Sequence, residues 1–117
     1  MTSPDPNAFL PLTPTALHIL MTLEGGPSHG YAIKRVVEER TRGVVRLGAG
    51  TLYNAIGSLA KRDLVVECPP PDAEAAGSSR WRFYEITVLG RRVMNAEVAR
   101  LEADVAYARA NLRPAER

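Results

Sequence analysis

The segment spanning residues 48–62 constrains the fold most, because its apolar residues recur with the period of an α-helix. The apolar stripe consists of Leu52, Ala55, Ile56 and Leu59. The opposite face holds hydroxyls, an amide, a phenol and a cation, from Thr51, Tyr53, Asn54, Ser58 and Lys61. This outer face has no carboxylate, whereas the surface of an ordinary helix mixes charges of both signs. The pattern predicts a helix that packs through one face and offers the other to an anionic partner.

Two helices are predicted before this segment, from their capping residues and their apolar spacing. Thr13 followed by Pro14 is a typical helix start, and the helix is predicted to end near Glu24, where two glycines follow. Ser28 is the predicted N-cap of a second helix that reaches about residue 41. The core side of this second helix is predicted to contain Tyr31, Ile33, Val36 and Val37.

Short runs of β-branched and aromatic residues flank the third helix and predict strands. Residues 44–47 are predicted as a brief strand, and residues 64–68 and 80–86 as a hairpin around a loop of proline, glycine, serine, alanine and acidic residues with no apolar period. Thr87 is predicted to cap a last helix that reaches about residue 113. This order of elements predicts an α+β, mainly α fold of the winged helix-turn-helix type. The third helix would then lie in the major groove of DNA, and the hairpin would be the wing.

The chain is predicted to form one domain with a flexible arm before it. A length of 117 residues, 45% of them hydrophobic, allows one small core. Residues 1–12 contain three prolines and are predicted to be a flexible or extended arm, from which Phe9 and Leu10 could still dock. The DNA-binding domain is predicted to span residues 13–86, and a long C-terminal dimerisation helix residues 87–113.

The reactive residues exclude several classes of protein. The one cysteine, Cys68, excludes an intramolecular disulfide and a cysteine-rich metal site. His18 and His29 have no ligand or nucleophile partner at a useful spacing, so we expect no metal, no cofactor and no enzymatic activity. The sequence shows no signal peptide and no apolar run long enough to cross a membrane, so we expect a cytoplasmic protein.

Several motifs together resemble the PadR family of bacterial transcriptional regulators. They are Ile19-Leu20, Gly26-Pro27-Ser28-His29-Gly30-Tyr31, Gly50-Thr51-Leu52-Tyr53, Leu59 with Leu64-Val65, and Tyr84-Glu85-Ile86-Thr87-Val88-Leu89-Gly90. The resemblance covers roughly residues 12–95, and its combination of motifs is specific. It implies a homodimeric winged-helix repressor, with the single C-terminal helix of a short-tailed subgroup. It also implies a small apolar or phenolic effector, for which the dimer interface is one location.

Two features depart from the family pattern. Asn54 stands where the family usually has proline after the Leu-Tyr pair, and this position bears on base preference. The wing is usually more basic, whereas this one carries Asp72 and Glu74 before Arg80 and Arg82. The two acids weaken the expected contact between the wing and DNA.

The residues predicted to contact DNA come from several elements. They are Ser28, His29, Arg46, Thr51, Tyr53, Asn54, Ser58, Lys61, Arg80 and Arg82. The amide of Asn54 can bond adenine, and Lys61 would hold a phosphate. The alternative for the helix is a solvated face with a partly buried Tyr53. The alternative for Arg80 and Arg82 is a charged edge strand that discourages aggregation.

The return strand of the hairpin has aromatic residues on both faces. Tyr84 and Ile86 are predicted to point into the core, and they alternate with Trp81 and Phe83. The face of Trp81 and Phe83 then needs a second cover. A partner subunit's helix, a flat apolar ligand and packing against the neighbouring strand are the alternatives.

The last helix carries an apolar seam in alternating steps of four and three residues, as in a coiled coil. Its members are Met94, Val98, Leu101, Val105, Ala108 and Leu112. A helix of this length outreaches a small domain, so the seam favours a homodimer over packing back on its own subunit. A two-fold dimer would present two reading helices to a pseudo-palindromic operator in double-stranded DNA.

The competing function is a winged-helix protein–protein interaction module that does not bind DNA. Fifteen basic and thirteen acidic residues leave a formal net charge of only +2. This low charge and the acidic wing favour a protein partner. Binding to DNA that weakens steeply with salt would distinguish the two functions.

Overall fold

The computed structural model describes residues 4–71 and 81–115 of the chain. Its helices are a 3-10 helix Pro6–Phe9, α1 Pro14–Leu23, α2 Gly30–Arg40, α3 Ala49–Lys61 and α4 Val88–Asn111. Its strands are β1 Ser28–His29, β2 Val65–Cys68 and β3 Phe83–Ile86. Three compact helices, a small antiparallel sheet and a long last helix confirm the predicted α+β, mainly α fold.

The sheet contains one strand more than the predicted hairpin. β3 lies in the middle, the order is β1-β3-β2, and both pairings are antiparallel. The hairpin is present as β2 and β3, with Val65 opposite Ile86. β1 pairs Ser28 with Tyr84 and thereby joins the start of α2 to the wing.

The predicted strand at residues 44–47 is wrong. The chain enters this segment through Gly43 at a positive φ of 78°. The N–H of Val45 then donates to the hydroxyl of Thr41 at 3.0 Å instead of pairing with a strand. Val44 is exposed to solvent. A β-branched sequence does not form a strand where no sheet edge is available to pair with it.

The predicted caps of α1 and α4 are confirmed. The Oγ1 of Thr13 accepts the N–H of Ala16 at 3.1 Å, and the Oγ1 of Thr87 accepts the N–H of Gly90 at 2.9 Å. Both threonines satisfy N–H groups that the first turn of a helix leaves without a partner. Asp63 closes α3 as predicted, with a left-handed φ of 62°.

The N-cap of α2 is His29, so the prediction of Ser28 at this position is wrong. Ser28 is held in the sheet by its pairing with Tyr84. The Nδ1 of His29 accepts the backbone N–H of Ala32 at 3.2 Å, which is the bond that a capping side chain makes. The imidazole is therefore fixed at the start of α2.

The core lies between the three compact helices, the sheet and the start of α4. The apolar stripe of α3 is confirmed, because Leu52, Ile56 and Leu59 are buried and Ala55 is half-buried. The same core contains Ile19, Leu20, Leu23, Ile33, Val37, Leu64 and Val93. α3 is thus held by one face and leaves its polar face free.

α4 begins so close to β2 that only glycine fits at position 90. A Cβ on Gly90 would overlap the carbonyl oxygen of Leu64 and lie 2.7 Å from Cγ1 of Ile86. The N–H of Thr87 donates to the same Leu64 oxygen at 3.1 Å, and its hydroxyl donates to the Asp63 carbonyl at 2.5 Å. These contacts fix the direction in which α4 leaves the domain.

Residues 6–12 are packed on the domain, so their prediction as a flexible or extended arm is wrong. Phe9 and Leu10 pack against the core, and Leu12 is buried. The backbone N–H of Leu12 donates to the carboxylate of Glu97 on α4 at 2.9 Å. The arm is therefore part of the folded domain over these residues.

α4 is buried only near its start. Val93, Met94 and Glu97 are buried, whereas no residue between 98 and 111 is. Within residues 4–71 and 81–115, no helix is both long and apolar enough to cross a membrane. The same part of the chain has no group of three or more His, Cys, Asp or Glu that could hold a metal ion.

Candidate nucleic-acid interface

The outward face of α3 presents the polar residues that the sequence places there. All of them are exposed, namely Thr51, Tyr53, Asn54, Ser58 and Lys61. The N-cap is Gly48, whose lack of a side chain leaves the first-turn N–H groups without a side-chain acceptor. The whole of α3 carries no carboxylate. The face can therefore donate and accept hydrogen bonds without repelling a phosphate.

Tyr53 is held against the start of α2 by a glycine. A Cβ on Gly30 would lie 2.6 Å from the phenolic oxygen of Tyr53 and 2.7 Å from its Cζ. The ring therefore occupies the space that a side chain at position 30 would fill, while 53% of Tyr53 stays exposed. This contact sets α2 and α3 side by side and fixes the hydroxyl near the start of α2.

Arg46 lies in the turn between α2 and α3. Its Nε donates to the carbonyl oxygen of Gly43 at 3.2 Å, and the residue is exposed. The bond restrains the guanidinium group at its Nε atom. Arg46 is thus placed as a cation at the entry to α3.

The wing contributes Arg82, which is exposed just before β3. Arg80 lies outside the described residues, as do the acids Asp72 and Glu74. Ser28 is half-buried in β1, and its hydroxyl donates to the carbonyl of His29 at 3.5 Å. Among the described residues of this set, Arg82 is the one that carries a charge.

A cleft of about 350 Å³ opens between the start of α2, α3 and the beginning of β3. We name it the aromatic cleft, and its lining residues are His29, Tyr31, Tyr53, Trp81, Arg82 and Tyr84. The structure thus brings together three predicted contact residues, His29, Tyr53 and Arg82. The other predicted residues of α3 and Arg46 do not line the cleft.

Three rings of the aromatic cleft lie against one another, namely those of His29, Tyr31 and Trp81. His29 and Trp81 lie with centroids 4.0 Å apart at a tilt of 36°. Tyr31 lies 6.4 Å from Trp81 at an interplanar angle of 24°. Burial lowers the pKa of His29, and its Nδ1 already accepts the N–H of Ala32. The neutral ring therefore carries its proton on Nε2 and keeps one donor free.

The face of β3 that carries Phe83 is covered by the chain itself. Phe83 is buried, although the alternation of the strand predicts it on the outer side. His29 stands opposite Phe83 in the sheet, and its ring meets the Phe83 ring edge-on at 5.2 Å. The added strand β1 supplies this cover, so Phe83 needs no partner helix or ligand.

Two opposite charges act on Tyr84, which lines the cleft. Burial raises the pKa of Tyr84, and the carboxylate of Glu67 raises it further. Arg82 acts in the opposite direction and lowers it. Glu67 stands opposite Tyr84 in the β2–β3 register, so both side chains are on one face of the sheet. The carboxylate therefore lies beside the cleft without lining it.

The seam on α4 is divided between the core and the surface. Met94 is only 5% exposed and belongs to the core of its own subunit, so its prediction as a dimerisation residue is wrong. We name the remaining residues the apolar strip: Val98, Leu101, Val105, Ala108 and Leu112. All five are exposed or half-buried, and Leu112 follows the last residue of α4.

Two residues in this region have roles that the sequence did not indicate. Tyr31 is 57% exposed in the cleft rather than in the core, because it lies in the first turn of α2 beside Trp81. Glu97 is 1% exposed, although it lies off the seam among charged residues. The spacing of Glu97 to Arg100 is a signal for their ion pair, but no sequence pattern points to Leu12 as its other partner.

Comparison with solved structures finds the same fold in several proteins. A transcriptional regulator from Clostridium thermocellum superposes with a TM-score of 0.71 at 21% identity, over 85% of this chain and 90% of that one. RosR of H. salinarum gives 0.62 at 24% identity, over 89% and 99% of the two chains. The adhesin competence repressor of Streptococcus pyogenes gives 0.60 at 22% identity, over 89% and 69%. These likenesses show the fold.

The family of the chain is established by sequence. No curated protein sequence matches it. The model of the transcriptional regulator PadR-like family matches residues 19–96, which run from α1 to the buried start of α4. This range contains α3, the sheet and the aromatic cleft. The chain therefore belongs to the PadR-like family of transcriptional regulators, which is a family of regulators and not of enzymes.

Proposed function

We propose that the protein is a homodimeric repressor that reads a pseudo-palindromic operator in double-stranded DNA and releases it when an effector binds. α3 would enter the major groove, and Arg46 and Arg82 would hold phosphates on either side. The protein would act in the cytoplasm. The carrying observation is the exposed face of α3, which has no carboxylate along its whole length.

The composition of α3 supports recognition of the base sequence rather than electrostatic attraction to DNA alone. Its exposed side chains include an amide at Asn54 and hydroxyls at Thr51 and Ser58, which can meet base edges in the major groove. Only Lys61 adds a charge within the helix, so one copy would bind weakly. A second copy related by two-fold symmetry would double the contacts and set the spacing of the half-sites.

The apolar strip supports the dimer. Val98 is 43% exposed and Val105 51% on the part of α4 that extends beyond the core, and Leu112, just after the helix, is 71% exposed. Apolar side chains in such a row favour the face of another helix. Continued along both helices, this packing would hold the two copies of α3 at a fixed distance.

The proposed repressor role is supported by a structural neighbour, and the proposed effector by a groove on the surface of α4. The neighbour from Streptococcus pyogenes is a repressor by name. A shallow groove of about 470 Å³ runs along α4 between Leu101, Val105 and Arg109. A small apolar or phenolic effector at this groove would change the angle between the two copies of α4. Because half-site spacing is fixed by geometry, such a change would release DNA.

The test is binding to duplex DNA at several salt concentrations, followed by selection of bound duplexes from a random pool. A DNA reader should bind random duplex and weaken with a log–log slope of about −0.9 for each neutralised phosphate. The selected sequences should contain two half-sites about one helical turn apart. Absence of binding even at low salt would reject the proposal.

A second candidate function is a winged-helix module that binds another protein. The observation that favours it is the pair of exposed carboxylates on the wing strands, Glu67 on β2 and Glu85 on β3. Such a module would bind no duplex DNA at low salt. The salt series therefore distinguishes the two functions.

A further inference from the structure

We propose that the aromatic cleft holds one phosphodiester unit of the DNA backbone. Arg82 and the hydroxyls of Tyr53 and Tyr84 would hold the phosphate, and the rings of Tyr31 and Trp81 would pack on the adjoining deoxyribose. The inference rests on the proposed DNA binding and adds Tyr31, Trp81 and Tyr84 to the residues that contact DNA.

The first reason is the position of the cleft. Tyr53 lines it and also stands on the exposed outer face of α3. Arg82 lines it from the wing, so the cleft fills the space between the reading helix and the wing. A DNA strand whose bases face α3 would have its sugar–phosphate backbone at the aromatic cleft. The cleft is therefore continuous with the proposed interface.

The second reason is the chemistry of its polar groups. None of the six lining side chains carries a carboxylate. Arg82 can only donate, and His29 keeps its Nε2–H as a donor because Nδ1 is used by Ala32. The phenols of Tyr53 and Tyr84 add two hydroxyl donors. A group made only of acceptor oxygens, such as a phosphodiester, complements this set.

The third reason is the exposed aromatic surface. Tyr31 is 57% exposed and Trp81 43%, although their rings lie within stacking distance of each other. Large aromatic faces left to solvent side by side mark a surface that a partner covers. In duplex DNA the faces of the bases are stacked inside, and the sugar is the apolar surface of the backbone. A deoxyribose is therefore the occupant that fits these rings.

Glu67 provides an internal check, because its carboxylate stands beside the cleft on the face of Tyr84. A phosphate in the cleft would be repelled by this charge. Glu67→Gln should raise the affinity for any duplex about two- to fivefold at low salt. Glu102→Gln removes an exposed carboxylate on α4 that does not line the cleft, and as the control it should leave the affinity unchanged.

The direct experiment uses the unmodified protein, because Trp81 is its one tryptophan. Acrylamide quenching of its fluorescence is measured during titration with random duplex DNA at low salt, and in parallel with benzoate. We expect DNA to protect Trp81 from quenching. DNA binding that leaves the quenching unchanged would overturn the inference while leaving the proposed function intact. Protection by benzoate but not by DNA would overturn it too, and would make the cleft a small-molecule site.

Two variants distinguish the proposed contact with the deoxyribose from the proposed contact with the phosphate. Trp81→Ala should weaken binding about tenfold on cognate and random duplexes alike with an unchanged salt slope, and Trp81→Phe should restore most of it. Arg82→Ala should reduce the salt slope by about 0.9. Arg92→Ala on α4 removes an exposed cation that does not line the cleft and is the control. Equal affinities for Trp81→Ala and the unmodified protein would contradict the inference.

Discussion

The backbone N–H of Leu12 donates a 2.9 Å hydrogen bond to Oε2 of Glu97, a residue 85 positions away. Glu97 is 1% exposed, and its carboxylate also accepts bonds of 2.5 and 3.2 Å from Arg100. A buried carboxylate is stable only when its oxygens are satisfied by donors and a cation. The pair therefore fastens the N-terminal arm to α4 at the point where the helix leaves the domain.

Glu97→Ala should destabilise the protein by about 2–4 kcal/mol. The substitution leaves the Leu12 N–H buried without an acceptor and opens a gap in the core. Urea unfolding followed by circular dichroism at a fixed protein concentration would measure the loss. Asp104→Asn is the matched control, because it removes only the exposed second partner of Arg100 and should change little. A loss no larger than that of the control would mean that the arm does not depend on Glu97.

The stability of the protein should also depend on pH through Glu97. The hydrogen bond from Arg100 holds the pKa of Glu97 below its ordinary value of 4.5; burial acts against it, and the N–H of Leu12 adds to the lowering. Because the folded pKa lies below the unfolded one, this stabilisation is complete above the ordinary value and is lost as the pH falls through the folded pKa. Unfolding free energies measured between pH 3 and 7 should fall at the acid end. Glu97→Gln should show a smaller fall, and parallel pH profiles would refute the assignment.

Much of the fold follows from local patterns because the responsible interactions are local. The stripe of α3 repeats within thirteen residues, and Thr13 and Thr87 cap helices through N–H groups three positions ahead. β1 could not be predicted in this way. Its two residues become a strand only because β3 lies beside them, and no period can be read from two positions.

The candidate site was predictable in part for the same reason. The helical period places the polar residues of α3 outward without knowledge of the rest of the chain. The aromatic cleft requires Tyr31 and Trp81 to meet across 50 residues of sequence, and the helical period assigns Tyr31 to the core. Met94 continues the seam of α4 by spacing, yet the direction in which the helix leaves the domain decides that it is buried. These are long-range relationships that a single sequence does not reveal.

Gly30→Ala should impair DNA binding more than stability. The new Cβ would lie 2.6 Å from the phenolic oxygen of Tyr53, and this exposed ring can swing away at a cost of about 1 kcal/mol or less. Moving the ring removes Tyr53 from both α3's face and the cleft. Electrophoretic mobility shifts and thermal unfolding would measure the two effects. Gly57→Ala, whose Cβ meets nothing within 4 Å, is the control for stability and should be stabilising by about 0.5–1 kcal/mol.

Leu101→Glu should convert the proposed dimer to monomers. The residue is half-buried in the middle of the apolar strip, and a carboxylate there would face its own copy across a two-fold axis. Sedimentation velocity at several concentrations would determine the mass. Arg113→Glu places the same charge beyond the end of α4 and should leave the dimer unchanged. An unaltered dimer in Leu101→Glu would show that subunits associate through another surface.

Asn54→Ala should change base preference rather than general affinity. Asn54 is exposed on the outer face of α3, and a bidentate bond from its amide to adenine would be worth about 1–3 kcal/mol on the cognate operator. Random duplex offers no such bond on average, so its affinity should hardly change. Lys61→Ala is the contrasting variant, because loss of a phosphate contact should weaken binding to all duplexes and lower the salt slope by about 0.9. Titrations of both variants with the selected operator and with random duplex would distinguish a base contact from a backbone contact. An equal loss of affinity on both duplexes for Asn54→Ala would mean that Asn54 contacts the DNA backbone.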